Sequence, residues 1–397
     1  MTRMCMWRKR ITRFVWGECN SFGCALRVSV PAASTSFAKL LALFAYVVCA
    51  ERAWAQSGAT KAAHKAATKT PESIWYIRNN AEGIASFEAN AKHVSVIAPQ
   101  VYSIDSSGAI KGGTDPRIVA IAKANRVKLM PLVMNPGFDL GILHRIVTDA
   151  VARTASARSM AALCRDEHLD GLQLDFENLY VGDRDAFTAF AREAADSVHK
   201  AGCELSAAVV PRRDDSRGVL PYHQWMADYW RNAYDYKALV ESLDFISYMT
   251  YAQHTGGSTP GPVAGYPWML AGLKYVLAQG LPVNKISLGL AAYSDYWYPH
   301  YDPKTGTARA RGDDIAYPRL IQLMHDARAT PQWDATQKSS FAMWERNGVF
   351  EHAWIEDARA FRQKLALVDQ YKLRGYSVWL IGMEDPAIWK IVGPVRH

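Results

Sequence analysis

Eight short apolar runs recur along this chain, and stretches with helical periodicity separate them. The runs lie at 73–78, 94–104, 127–135, 169–179, 204–211, 244–251, 285–293 and 375–382. Helical patterns fall at 86–93, 115–125, 140–167, 183–202, 229–242, 266–279 and 357–371, with a last one at 386–392. Asp115 is placed to cap the helix through Asn125, and Gly202 to end the helix before it. Such alternation predicts a buried parallel sheet, here an α/β (β/α)8 TIM barrel. A doubly wound open sheet shares the alternation, but no glycine-rich phosphate loop follows the first run. The stretch 294–351 interrupts the pattern after the seventh strand. It is rich in aromatics, Gly and Asp, and too long for a barrel loop. The polar, Gly-containing stretch 105–113 reads as a loop.

The fourth strand, LDGLQLDFENL, carries the chemistry. Leu172, Leu174 and Phe176 alternate with Gln173, Asp175 and Glu177. In a parallel sheet neither face meets bulk water, so carboxyls on the inner face are costly to desolvate. Residues two apart on a strand lie about 6.6 Å apart and point the same way. A neighbouring carboxylate and partial burial both push a Glu towards its protonated form, as a general acid requires. The alternative is an acid pair that caps a helix or holds an Arg.

The net charge of +8 does not mark a nucleic-acid binder. Residues 1–55 hold eight Lys/Arg against two acids, which leaves the remainder nearly balanced and without a basic stripe. That leader has a basic stretch, the apolar run LLALFAYVVC and then Ala53-Trp54-Ala55, the pattern of a cleaved export signal. The expectation is a signal peptide over 1–55, a flexible Ala/Lys/Thr linker over 56–72, and a periplasmic or secreted protein without stable membrane association after cleavage. An uncleaved anchor is the alternative. Cys164 and Cys203 survive such cleavage, and either a disulfide or two separate buried thiols is compatible with their positions. No Cys/His cluster has metal-ligand spacing, so no metal or other cofactor is expected.

DGLQLDFE resembles the DGxDxDxE signature of glycoside hydrolase family 18, the chitinase-like family. Asp170, Gly171, Asp175 and Glu177 match, and Gln173 stands where chitinases have their first inner Asp. An amide there is similar to the bacterial branch with spore-cortex and peptidoglycan-active members. The resemblance runs from about Ile74 to Trp389, and it implies a 73–397 catalytic barrel whose insertion is a small α+β unit walling the cleft.

Strand six ends ISYMTYAQH, similar to the family's MTYD element through Met249, Thr250 and Tyr251, with Ala252 in place of the Asp. Trp379 on strand eight matches the family's hydrophobic floor beneath the sugar. The resemblance implies a substrate-assisted retaining mechanism on an N-acetylglucosamine-containing polysaccharide. Glu177 is then the acid/base, Asp175 holds the acetamido group and Tyr251 orients its carbonyl. Gln173, Met249, Trp379, Gln100 and Asn135 are the candidate substrate-binding residues. Glu384 and Asp385 are expected to cap the last helix. Ala252 keeps a non-catalytic carbohydrate-binding barrel in view.

Overall fold

A computed structural model describes residues 70–395. The leader and nearly all of the linker expected from the sequence lie outside the described residues. The barrel strands are β1 (Glu72–Ile77), β2 (Val96–Ile104), β4 (Lys128–Leu129) with β5 (Leu132–Met134), β6 (Gly171–Asp175), β7 (Glu204–Val209), β8 (Phe245–Tyr248), β9 (Ile286–Ala291) and β15 (Gly375–Trp379). Every neighbouring pair around the ring is parallel, and β1 pairs with both β15 and β2, which closes the barrel. Glu72, expected in the linker, pairs with Gly375 as the first residue of β1.

The helices are α1 (Ala81–Asn90), α2 (Pro116–Asn125), α3 (Leu140–Thr148), α4 (Ala150–Asp166), α5 (Arg184–Lys200), α6 (Pro221–Met226), α7 (Tyr236–Ser242), α8 (Tyr266–Ala278), α9 (Tyr317–Asp326) and α10 (Ala358–Tyr371). Outward strand residues such as Leu172, Leu174, Leu205 and Ile246 form one core with the inner faces of α1 to α5, α7, α8 and α10. Asp115 caps α2 by accepting the Arg117 N–H at 2.8 Å, as expected.

Inward residues build two tiers. Ile74, Val96, Met130 and Phe245 pack together inside the barrel. With them lies a polar belt. Tyr76 donates to Gln173 Oε1 at 2.6 Å, and Gln173 Nε2 donates to Ser206 and Ser247 at 2.9 and 3.0 Å. Ser247 and Ser287 each meet the Ser377 hydroxyl, at 2.9 and 2.6 Å. A cross-linked floor of this kind satisfies buried polar groups that would otherwise be costly. Arg374, just before β15, joins Glu72 and Glu204 at 2.7 and 3.0 Å.

Several elements differ from the sequence reading. Strand three is broken between Leu129 and Leu132, because Pro131 has no N–H to give the ladder. The stretch 105–113 contains β3 (Ile110–Gly112), which folds back antiparallel on β2. The helical region 140–167 is two helices, since Asp149 leaves helical geometry and caps α4 through the Val151 and Ala152 N–H groups. The pattern at 229–242 is helical as α7 only from Tyr236; Ala227–Arg231 is a widened turn after α6. Asp385 caps the final short helix as expected. Glu384 does not. It accepts from Trp389 Nε1, Ser86 and the Gly382 N–H instead.

The insertion is an antiparallel sheet of β10 (Ser294–Asp302), β11 (Thr307–Ile315), β12 (Gln332–Asp334), β13 (Ser339–Arg346) and β14 (Val349–Ile355), covered by α9. It therefore ends four residues later than the expected Glu351. A fully buried ion pair, Lys364 with Glu356, joins its end to α10. Cys164 and Cys203 form a disulfide with a Cα–Cα distance of 6.4 Å, linking the end of α4 to the start of β7.

Candidate active site

The C-terminal ends of the barrel strands open into a cleft of about 620 Å³. Asp175 ends β6 and Glu177 lies two residues beyond it, and both line this cleft. Gln100 from β2, Met249 and Tyr251 after β8, and Trp379 at the end of β15 line it as well. Six of the eight expected site residues therefore meet at one place.

The backbone between the two acids is pinned from three sides. Asn135 Oδ1 accepts the Glu177 N–H at 3.1 Å, and Asn135 Nδ2 donates to the Glu177 carbonyl at 2.9 Å. The Tyr234 hydroxyl donates to the Phe176 carbonyl at 2.6 Å. The Phe176 ring points outward and packs on Phe187 and Phe190. Such clamping fixes where the two carboxyls point.

Electrostatics favour protonation. Burial raises the Glu177 pKa above the ordinary glutamate range, and the Asp175 charge raises it further. Burial also raises Asp175, while a hydrogen bond from Gln100 works in the opposite direction. Gln100 is itself held by Arg78, whose Nε donates to Gln100 Oε1 at 3.2 Å. The pair thus favours one shared proton, with Glu177 the better site for it. The Tyr251 phenol is pushed well above its usual range by burial and by the nearby acids, so it stays a neutral donor.

Two amides expected to touch substrate do not line the cleft. Gln173 is fully buried in the belt below, with its amide committed to Tyr76, Ser206 and Ser247. It lies two residues deeper on β6 than Asp175. Asn135 is buried too, and its amide serves the Glu177 backbone and the Asp139 carbonyl. Both are corrected to positioning residues.

Other groups were missed. Tyr76 on β1 and Arg78 just past its end line the cleft, and the Arg78 guanidinium sits 5.4 Å from the Trp379 ring centroid. Period-two reading of WYIR already puts both on the inner face. Asp314 reaches the cleft from the insertion, opposite Asp295 in the β10–β11 ladder. Burial raises both of these carboxyls, and the Asp314 charge raises Asp295 further, whereas the hydrogen bond with Asp295 works to lower Asp314. No sequence signal links residues 19 apart in an insertion of unknown register.

Residues 76–384 match the model of glycosyl hydrolases family 18. This chain belongs to that family. A Bacillus subtilis glycosylase described as sporulation-specific is 29% identical over 255 residues, which cover 64% of this chain and 57% of that protein. The cortical fragment-lytic enzyme of Bacillus subtilis is 26% identical over 78% of this chain and 66% of its own length. The chain thus spans less than two thirds of these two relatives. Among solved structures, a chitinase from Chromobacterium violaceum superposes with a TM-score of 0.72 at 25% identity, covering 81% of this chain and 98% of that one.

Against the family signature, Ala252 is the main departure. It lines the cleft in left-handed backbone geometry, φ 55°, where Asp and Asn are tolerated better than Ala. Its neighbours supply no carboxylate. Gln253 Oε1 accepts the Gly265 N–H at 2.8 Å, and His254 Nδ1 faces the Thr259 carbonyl at 3.0 Å.

Proposed function

We propose that this chain is an exported glycosidase that cleaves β-linked N-acetylglucosamine-containing glycans, chitin-like or peptidoglycan, by a substrate-assisted retaining mechanism. The observation that carries the reading is the pairing of Glu177 and Asp175 in one cleft at the mouth of a family 18 barrel, with burial favouring a protonated Glu177. In this scheme Glu177 gives its proton to the glycosidic oxygen as the bond to the anomeric carbon breaks. The carbonyl oxygen of the substrate's own 2-acetamido group bonds to that carbon, so no enzyme carboxylate attacks. Asp175 holds the acetamido N–H and stabilises the charge of the cyclic intermediate. Tyr251 donates to the acetamido carbonyl; its hydroxyl has no hydrogen-bond partner among the described residues. Glu177, now a carboxylate, takes a proton from the water that opens the ring.

The names of the relatives, a cortical fragment-lytic enzyme and a chitinase, support the substrate class. Export rests on the leader and the Ala53-Trp54-Ala55 cleavage pattern. The test is incubation with N-acetylglucosamine oligomers and with purified peptidoglycan, and mass identification of the soluble products. Wild type should release fragments, and Glu177→Gln should bind without releasing any. Ala252 favours one rival, a barrel that binds glycans without cutting them. Binding by wild type with no product from any of these substrates would decide for that rival.

A further inference from the structure

The side of the cleft beyond β7 carries more positive charge than its surroundings balance. Arg212 and Arg213 come after Pro211 at the strand's end, and Arg231 comes from the widened turn after α6; all three line the cleft. Arg212 is only 5% exposed. Its guanidinium lies 4.7 and 5.4 Å from the ring centroids of Tyr236 and Tyr275, and Nη2 donates to the Tyr234 carbonyl at 3.2 Å. Its nearest carboxylate, Asp215, is 3.7 Å away, largely exposed, and already accepts from the Tyr275 hydroxyl. Arg231 donates weakly to the His223 carbonyl at 3.4 Å.

Two buried nitrogens are left over. Nε of Arg212 and Nε of Arg231 are both enclosed and without a hydrogen-bond partner. Neither Arg213 nor Arg231 has a carboxylate within 4 Å among the described residues, whereas Arg184 and Arg217 nearby are paired with Asp235 and Asp228. Burial works against the charged form of Arg231; the Asp214 carboxylate partly offsets this, and the Arg213 charge adds to it. Buried guanidinium groups are normally satisfied, because stripping water from an unpaired charge is costly. A rigid, stacked guanidinium is the usual partner of a carboxylate, which it can grip at two points. Trp225 and Trp230 line the same side and offer flat faces to a sugar ring.

We infer that Arg212, Arg213 and Arg231 form a carboxylate-binding subsite, so that the cleft selects N-acetylated glycans bearing an acidic substituent over neutral ones. This rests on the glycosidase reading for the placement of the sugar, and it narrows the substrate from N-acetylglucosamine glycans in general to acid-bearing ones. Two sources of the carboxylate share this chemistry: an acid ether-linked to the sugar ring, as in muramic acid, and an acid on a peptide attached to it.

The test is a fluorescence titration of the Glu177→Gln protein, which does not depend on turnover. The probes are a tetrasaccharide of alternating N-acetylglucosamine and N-acetylmuramic acid, its methyl ester, and a peptide-bearing version in which the ring-borne acid is an amide. The free acid should bind about tenfold tighter than the ester, an advantage that added salt reduces. Adding Arg213→Gln or Arg231→Gln should bring that ratio towards one. Arg212→Lys serves as a third variant, since loss of the buried side chain altogether risks the fold. Tight binding of the peptide-bearing strand instead of the free acid would assign the carboxylate to the peptide. Acid and ester binding within twofold of each other with no tighter binding of the peptide-bearing strand, or an advantage of the acid-bearing probe unmoved by both Arg variants, overturns the subsite. Failure of wild type to cut any glycan would remove the glycosidase reading and leave the binding ratio still readable.

Discussion

Asn135→Ala removes the amide that holds Glu177 without replacing any residue that lines the cleft. Three contacts go: the Glu177 N–H at 3.1 Å, the Glu177 carbonyl at 2.9 Å and the Asp139 carbonyl at 3.3 Å. Asn135 is 1% exposed, so the groups it leaves behind face a cavity instead of solvent. A buried polar group stranded in this way costs about 1–3 kcal/mol. With the two Glu177 groups stranded and water replacing part of the loss, the expected destabilisation is about 2–4 kcal/mol. The second effect is catalytic. Shifting an acid by about 1 Å lowers turnover by roughly 100-fold. The checks are urea midpoints for stability, and kcat and KM on an N-acetylglucosamine oligomer. The fall should appear in kcat with KM little changed, because Asn135 makes no contact in the cleft. Asn135→Asp separates the two halves of the clamp: it keeps the acceptor for the N–H and sets an oxygen against the carbonyl. Retention of wild-type kcat and midpoint by Asn135→Ala would refute the clamp.

The buried acid gives a pH signature. Glu177 holds its proton to higher pH in the folded chain than in the unfolded one. Between those two values the native state binds more protons, so stability falls as pH rises through the window. Glu177→Gln should match wild type below the ordinary glutamate range and become the more stable protein as pH rises above it; a difference that stays flat with pH in urea midpoints would sink this. Cleavage by wild type should decline on the alkaline side over the same window. Breaking the disulfide with Cys164→Ala and Cys203→Ala opens a loop of 39 residues, which on chain-entropy grounds costs about 4 kcal/mol; an unchanged urea midpoint would contradict it. Ala252→Asp suits the left-handed backbone and returns a carboxyl to the cleft. It should raise kcat and move the alkaline limb upward as the added charge pushes Glu177 further; kcat that falls would show that the position has been rebuilt around Ala.

Periodicity carried most of the fold because a parallel barrel writes itself as apolar runs with one inner face. It carried Asp175 and Glu177 for the same reason, and the family resemblance added Tyr251 and Trp379; all four stand at or just past a strand end on that face. It failed for Gln173 and Asn135 because an amide reads the same whether it meets a ligand, a hydroxyl or a backbone. Depth decided: on β6, Gln173 stays within the floor, while Asp175 at its end and Glu177 just beyond it rise above the floor. Pro131 and Asp149 were local signals strong enough to have split strand three and the long helix. The arginines of the cleft wall were illegible, since their meaning lies in partners that are missing nearby.

The belt of Tyr76, Gln173, Ser206, Ser247, Ser287 and Ser377 takes one member from each of six strands, and its two ends, β1 and β15, sit 302 residues apart where Arg374 meets Glu72. A slip of one residue in any of these strands would swing an apolar or aromatic neighbour, such as Leu174, Ile246 or Val378, into the ring and leave neighbouring hydroxyls bare. The belt therefore proofreads strand registration across those six strands. During synthesis it stays unfinished until the last strand leaves the ribosome, so the platform under the two acids is assembled only when the chain is nearly complete.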